Sequence, residues 1–197
     1  QLFAWTTLTA GLIIGELWSY VELGWGGYWG WDPVENAALL PWLTGTAFIH
    51  TASVEERRGM FRRWNFTLIS LTFFLTIFAT FLTRSQLIQS LHSFSASLLT
   101  PFFLYYMAIL AILCFALIAW RWADLRPSRR VERLWSRESA VLMNVGLFLM
   151  ATFVVLWGTL LPKITESAAV RGVLSGVASL GARLTGAGFG GNTVNLV

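Results

Sequence analysis

Thiols and imidazoles are nearly missing from this sequence: 197 residues hold one cysteine, Cys114, and two histidines, His50 and His92. A lone cysteine excludes an intrachain disulfide and every CxxC or CxxCH thiol motif, so cysteine builds no redox chemistry here. Charge is scarce too, at 12% of residues. No Ser-His-Asp arrangement, paired-carboxylate site, Walker loop or dinucleotide fingerprint occurs, which leaves hydrolysis and nucleotide-driven work without support. The chain opens on Gln1 with an apolar run at once and no charged leader region. We therefore expect it to be an internal piece of a longer protein.

What is present is mostly apolar: 56% of residues are hydrophobic, outside the usual range of a soluble domain. Crossing roughly 30 Å of hydrocarbon takes about 20 helical residues. Runs of that length occur near residues 2–20, 34–53, 65–83, 101–120 and 139–161. The expected fold is all-α, a polytopic transmembrane bundle of about five spans.

The loops between the runs differ in charge. Arg57, Arg58, Arg62 and Arg63 fall in one, and Arg121, Arg126, Arg129, Arg130, Arg133 and Arg137 in another. The positive-inside rule assigns both to the cytoplasm or its topological equivalent. A Trp-rich loop, the segment from Arg84 to Thr100 and the tail beyond Pro162 then share the opposite side. Two short basic loops flanking apolar spans are explained by topology, so we expect membrane lipid, and no nucleic acid, as a partner. Residues 1–162 form the expected membrane domain. Residues 163–197, rich in Gly, Ala and Ser, read as an external tail, in part a surface helix, to which no chemistry is assigned.

The chemistry concentrates in "WGGYWGWDPVEN", Trp25 to Asn36. Asp32 suits a helix N-cap, Pro33 the first helical position, and Glu35 the acid of a capping box, so the second helix should start at Pro33. Upstream, Gly24, Gly26, Gly27 and Gly30 alternate with Trp25, Tyr28, Trp29 and Trp31. An interfacial aromatic belt would account for Trp and Tyr alone. Belt residues are scattered around helices, however, and need no flexible backbone between them. A flat apolar ligand needs both the rings and the glycines.

The same stretch resembles the tryptophan-rich WWD signature of the haem-handling membrane proteins of cytochrome c biogenesis, the CcmF, CcmC and CcsA group. With "WDPVENAALLPWLTGTAFIH", "FLTRS" before a second His, and "SRESAVLMN" followed by "LWGTLLP", it is most similar to the CcmF-type haem lyase subunits. The resemblance runs from about Leu17 to Pro162. It implies an integral protein of a bacterial or mitochondrial inner membrane, with the Trp-rich loop on the periplasmic or intermembrane-space side. It also implies a part in a haem lyase complex with haem-chaperone and thiol-reducing subunits, acting on apocytochrome c.

His50 lies seventeen residues beyond Pro33, which on a continuous helix is about 25 Å from the Trp-rich end. His92 follows the third apolar run by about nine residues and belongs on the Trp-rich side. Metal–imidazole bonds are about 2 Å long, so the two cannot serve one iron. Two ligating histidines therefore mean two haems. The resemblance implies the same division, with a resident b-type haem at His50 and a transient haem at His92 and the Trp-rich loop. It also implies that the second axial histidines come from segments outside this sequence.

Around the transient site, Trp25, Tyr28, Trp29 and Trp31 are the candidate haem surface, with Asp32 fixing the loop to the helix. Arg84, a cation on the side the positive-inside pattern leaves poor in charge, is the candidate partner for haem propionates. The rival reading is a transporter or channel subunit, including a haem exporter, whose Trp cluster is an interfacial gate and whose histidines are incidental.

Overall fold

The structure is a computed structural model that describes residues 1–24, 27–85, 87, 88, 90, 100–127, 135–167, 172 and 175–179. Among the described residues there is no strand. Five long helices follow in order: α1 (Leu2–Glu22), α2 (Pro33–Arg58), α3 (Arg62–Ser85), α4 (Thr100–Trp120) and α5 (Arg137–Glu166). Four of them, α1, α3, α4 and α5, are long and apolar enough to cross a membrane. The chain is an integral membrane protein with a polytopic helical fold.

The second helix departs from the other four, and its surroundings give the reason. Asn36, Thr44, Thr46 and Thr51 are buried along it, whereas α1 and α4 each bury a single residue. Lipid does not solvate polar groups, so a helix carrying them is viable where neighbouring helices satisfy them. α2 is that central helix. Trp5 and Thr9 of α1, Thr72 of α3 and Thr159 of α5 all bond to its side chains.

Those contacts also fix directions. Trp5 meets Thr46 while Thr9 meets Trp42, so α1 runs antiparallel to α2. Arg58 pairs with Glu138 at one end of α2 and Asn36 bonds Thr159 at the other, so α5 is antiparallel to it as well. Between these ends, Ala47, Leu68 and Val145 form a buried apolar cluster joining α2, α3 and α5. A second cluster, Ala37, Phe81, Leu82 and Met107, joins α2, α3 and α4 nearer the Trp-rich end.

The turn between α2 and α3 is three residues long. Gly59 caps α2 in the left-handed region, φ 67°, where its N–H donates to the Glu55 carbonyl at 2.8 Å. Buried Phe61 also has positive φ, 64°, and its carbonyl accepts from Asn65 N–H at the start of α3. In the same first turn of α3, Arg63 donates to the carbonyl of Trp122, just past α4, at 3.0 Å and lies 4.3 Å above the Trp122 ring.

By its internal contacts the chain divides into Gln1–Thr159, which holds the bundle just described, and Leu160–Val197. In the second unit the described residues are the last turns of α5 and a short helical stretch in which Ser179 donates to the Gly176 carbonyl.

Candidate functional site

The Trp-rich loop is held by its own downstream helix. Asp32 is the N-cap of α2, its carboxylate accepting from Val34 N–H at 3.0 Å. Oε2 of Glu35 reaches back to accept from Asp32 N–H at 3.2 Å and from Gly30 N–H at 3.0 Å, so the capping box extends one further bond into the loop. Buried Asn36 donates through Nδ2 to the Trp31 carbonyl and to the Thr159 hydroxyl, both at 3.2 Å. Three polar side chains of "WDPVEN" thus tie the loop backbone to α2 and α5.

The consequence is an enforced backbone geometry at Trp31. Its φ is 54°, a conformation uncommon for a large side chain that persists where surrounding contacts over-determine it. Trp31 is 67% exposed and meets Trp29 edge to face, centroids 6.2 Å apart. Tyr28 stacks on Tyr20 of α1 at 4.6 Å, which couples the loop to the top of the first helix. Large flat rings therefore stand outside the helices on a framed backbone.

A third element reaches this surface. Ser90, which follows α3, donates to Oδ2 of Asp32 at 2.5 Å. Ser90 is thereby tied to the N-cap of α2, and Arg84 sits exposed in the last turn of α3. Trp25 and His92 lie outside the described residues. Sequence reasoning missed Asn36 and Ser90; the signal for Asn36 was its place one residue after the capping acid, in a helix otherwise apolar at that end.

His50 sits on α2 as the spacing indicates, since α2 is continuous through Pro41. Its Nδ1 lies 2.7 Å from the Thr46 carbonyl, which can only accept. Nδ1 therefore carries a proton, and Nε2 is the ring nitrogen left to face a ligand. This is the arrangement in which an imidazole is oriented as a metal ligand by a backbone acceptor. The residue is exposed on the helix surface, with the Phe148 ring of α5 at 5.9 Å. Among the described residues no group of three or more His, Cys, Asp or Glu comes together to hold a metal ion by itself. A lone imidazole such as His50 would fit a metal whose other ligands come from elsewhere.

A model of the family described as "Cytochrome C assembly protein" matches residues 1–92. The chain is 45% identical over 166 residues to "Cytochrome c-type biogenesis protein CcmF" of Haemophilus influenzae, covering 83% of this chain and 25% of that protein. It is 44% identical over 164 residues to the CcmF of Escherichia coli, with the same coverages. Residues 1–92 carry the match to the cytochrome c assembly family. A solved structure of "Cytochrome c Heme Lyase CcmF" superposes with a TM-score of 0.67 at 41% identity, over 92% of this chain and 27% of that one. The chain spans about a quarter of the length of the relatives it matches.

Proposed function

We propose that this chain handles haem for cytochrome c maturation, holding it against the Trp-rich surface and presenting it for attachment to the CxxCH thiols of an apocytochrome. The observation that carries the reading is the framed Trp29–Trp31 pair, with Trp31 kept at positive φ and on display by the bonds of Asp32, Glu35 and Asn36. A belt of interfacial tryptophans needs no such frame. The match of residues 1–92 to the cytochrome c assembly family and the likeness to a haem lyase of solved structure agree with it.

Each residue then has a definable task. Trp25, Tyr28, Trp29 and Trp31 offer ring faces that exclude water from a porphyrin plane. Ser90, two residues before His92 in sequence, bonds Asp32, which supports His92 as the iron ligand on this side. Arg84 offers a planar guanidinium to propionates. Bound haem supplies the vinyl groups that react with thiols, and the protein supplies proximity and orientation. His50, its ring oriented through Nδ1 by the Thr46 carbonyl, would hold a separate b-type haem through Nε2, with a second ligand from another segment or subunit. The Trp-rich face lies on the periplasmic or intermembrane-space side of an inner membrane, where haem-chaperone and thiol-reducing subunits meet it.

The test is colour resolved by site. The protein in its full natural length, purified after haem-replete expression, is expected to show a Soret band. His50→Ala and His92→Ala should each remove a different part of it. Loss of the whole band in either variant would refute the two-site reading, and a colourless wild type would favour the transporter.

A further inference from the structure

A second polar site lies at the opposite end of α2, away from the Trp-rich loop and independent of the haem reading. A cleft of about 180 Å³ opens between the last turns of α2 and the first turn of α5. Its polar walls are Ser53, Arg57 and Arg58 from α2 and Arg137 and Glu138 from α5, over an apolar floor that includes Val141. Three guanidiniums face one carboxylate. That carboxylate, 12% exposed, is already paired with Arg58. Among the described residues neither Arg57 nor Arg137 forms an ion pair.

The helix ends sharpen the imbalance. Arg137 opens α5, a helix of 30 residues, so its leading N–H groups bring the positive end of the helix dipole to the same cleft. The Ser136 hydroxyl accepts from Ser139 N–H at 3.2 Å, which starts the helix at that point. The site also lies at the first turn of α5, a helix long and apolar enough to cross a membrane, and its lining includes the apolar Val54 and Val141. Cations that served only to orient the chain in the membrane would need no recess.

We propose that this cleft binds a phosphoryl group, as an anionic phospholipid headgroup presents it at the membrane surface. Arg57 and Arg137 contact the phosphoryl oxygens, and the Arg58–Glu138 pair holds α2 and α5 at the spacing that keeps the cleft open. Two-pronged guanidinium contacts suit a tetrahedral anion, and the apolar floor accommodates the glycerol end of an acyl chain.

The experiment measures lipid retention by native mass spectrometry on the full-length protein, offered phosphatidylglycerol, phosphatidylcholine or inorganic phosphate. Wild type is expected to hold one phosphatidylglycerol in preference to phosphatidylcholine. The double variant Arg57→Gln with Arg137→Gln should weaken that retention roughly thirtyfold, by loss of two surface cations. Arg121→Gln, on a cation that pairs with Asp124 outside the cleft, should leave it unchanged. Unaltered helical circular dichroism certifies each variant, and Arg57→Lys with Arg137→Lys, which keeps the charge, should retain part of the preference. Displacement of the lipid by millimolar inorganic phosphate would support phosphoryl recognition and assign a soluble source. Equal retention of both lipids, or an equal loss in the Arg121 variant, would overturn the proposal in favour of a diffuse basic surface.

Discussion

Asn36 and Thr159 lie 123 positions apart in sequence and share a hydrogen bond of 3.2 Å, closing α5 onto the first turn of α2. The same amide bonds the Trp31 carbonyl, so one side chain joins bundle packing to loop conformation. Bonds of this kind carry weight in a bilayer, where apolar helices gain nothing by leaving lipid for one another.

Asn36→Leu removes the donor and should lower unfolding stability by about 1 kcal/mol. Asn36→Asp should cost more, on the order of 2–3 kcal/mol, because a buried carboxylate would face the Trp31 carbonyl oxygen, which can only accept. Denaturant titration of helical circular dichroism in detergent ranks them. The reverse order would mean that the amide does not act as a donor here. Both variants should also lose haem from the Trp-rich surface, since Trp31 is no longer held.

How far the sequence foretold this arrangement depends on which force set each part. Apolar runs at residues 34–53 and 139–161 lie within α2 and α5, and Asp32 with Glu35 starts α2 as their side-chain chemistry dictates. The extension of α2 to Arg58 did not show, because its last turn, Glu55 to Arg58, is charged and stands outside the apolar run; Gly59 stops it. The centrality of α2 did not show either. Hydropathy registers how apolar a helix is, and nothing in it says which helix the others surround. Trp5, Thr9, Trp42 and Thr46 look ordinary along the chain and become partners only once α1 and α2 lie side by side. In the site, the start of α2 after the Trp-rich loop and the place of His50 on α2 were legible from spacing. The ties from Asn36 and Ser90 are tertiary contacts, which no local pattern carries.

Asp32 separates a capping role from a ligand-binding one. Asparagine caps helices about as well as aspartate, whereas alanine costs about 1 kcal/mol. Asp32→Asn should therefore unfold near the wild-type midpoint and keep haem on the Trp-rich face, while Asp32→Ala should lose on both measurements. Haem loss in Asp32→Asn at unchanged stability would reassign the carboxylate to the ligand itself.

The contact between α1 and α2 is a reciprocal clasp. Trp5 Nε1 donates to Thr46 at 2.9 Å, Trp42 Nε1 donates to Thr9 at 2.8 Å, and the two indoles stack at 5.9 Å. Thr9→Val and Thr46→Val each leave an indole N–H without its acceptor and should cost roughly 0.6–1 kcal/mol. Neither touches the backbone carbonyl of Thr46, so the haem absorbance assigned to His50 should persist. A thermal midpoint of the double variant equal to that of wild type would show that the clasp contributes nothing.

Two Gly→Ala replacements should move stability in opposite directions, because the two glycines meet different backbones. Gly45 is interior to α2, and a β-carbon there would stand 3.6 Å from Trp5 and 3.7 Å from Thr72, ordinary contact distances that require no shift. Alanine then gains helix propensity and loses nothing by collision, for a rise of roughly 0.5–1 kcal/mol. Gly59 holds φ at 67°, where an L side chain meets its own carbonyl at a cost of roughly 1–2 kcal/mol. Measured side by side by denaturant titration, Gly45→Ala should lie above wild type and Gly59→Ala below it. A fall in Gly45→Ala would mean that α1 approaches α2 more closely than these distances allow, and the Trp5–Thr46 bond would have to be redrawn with it.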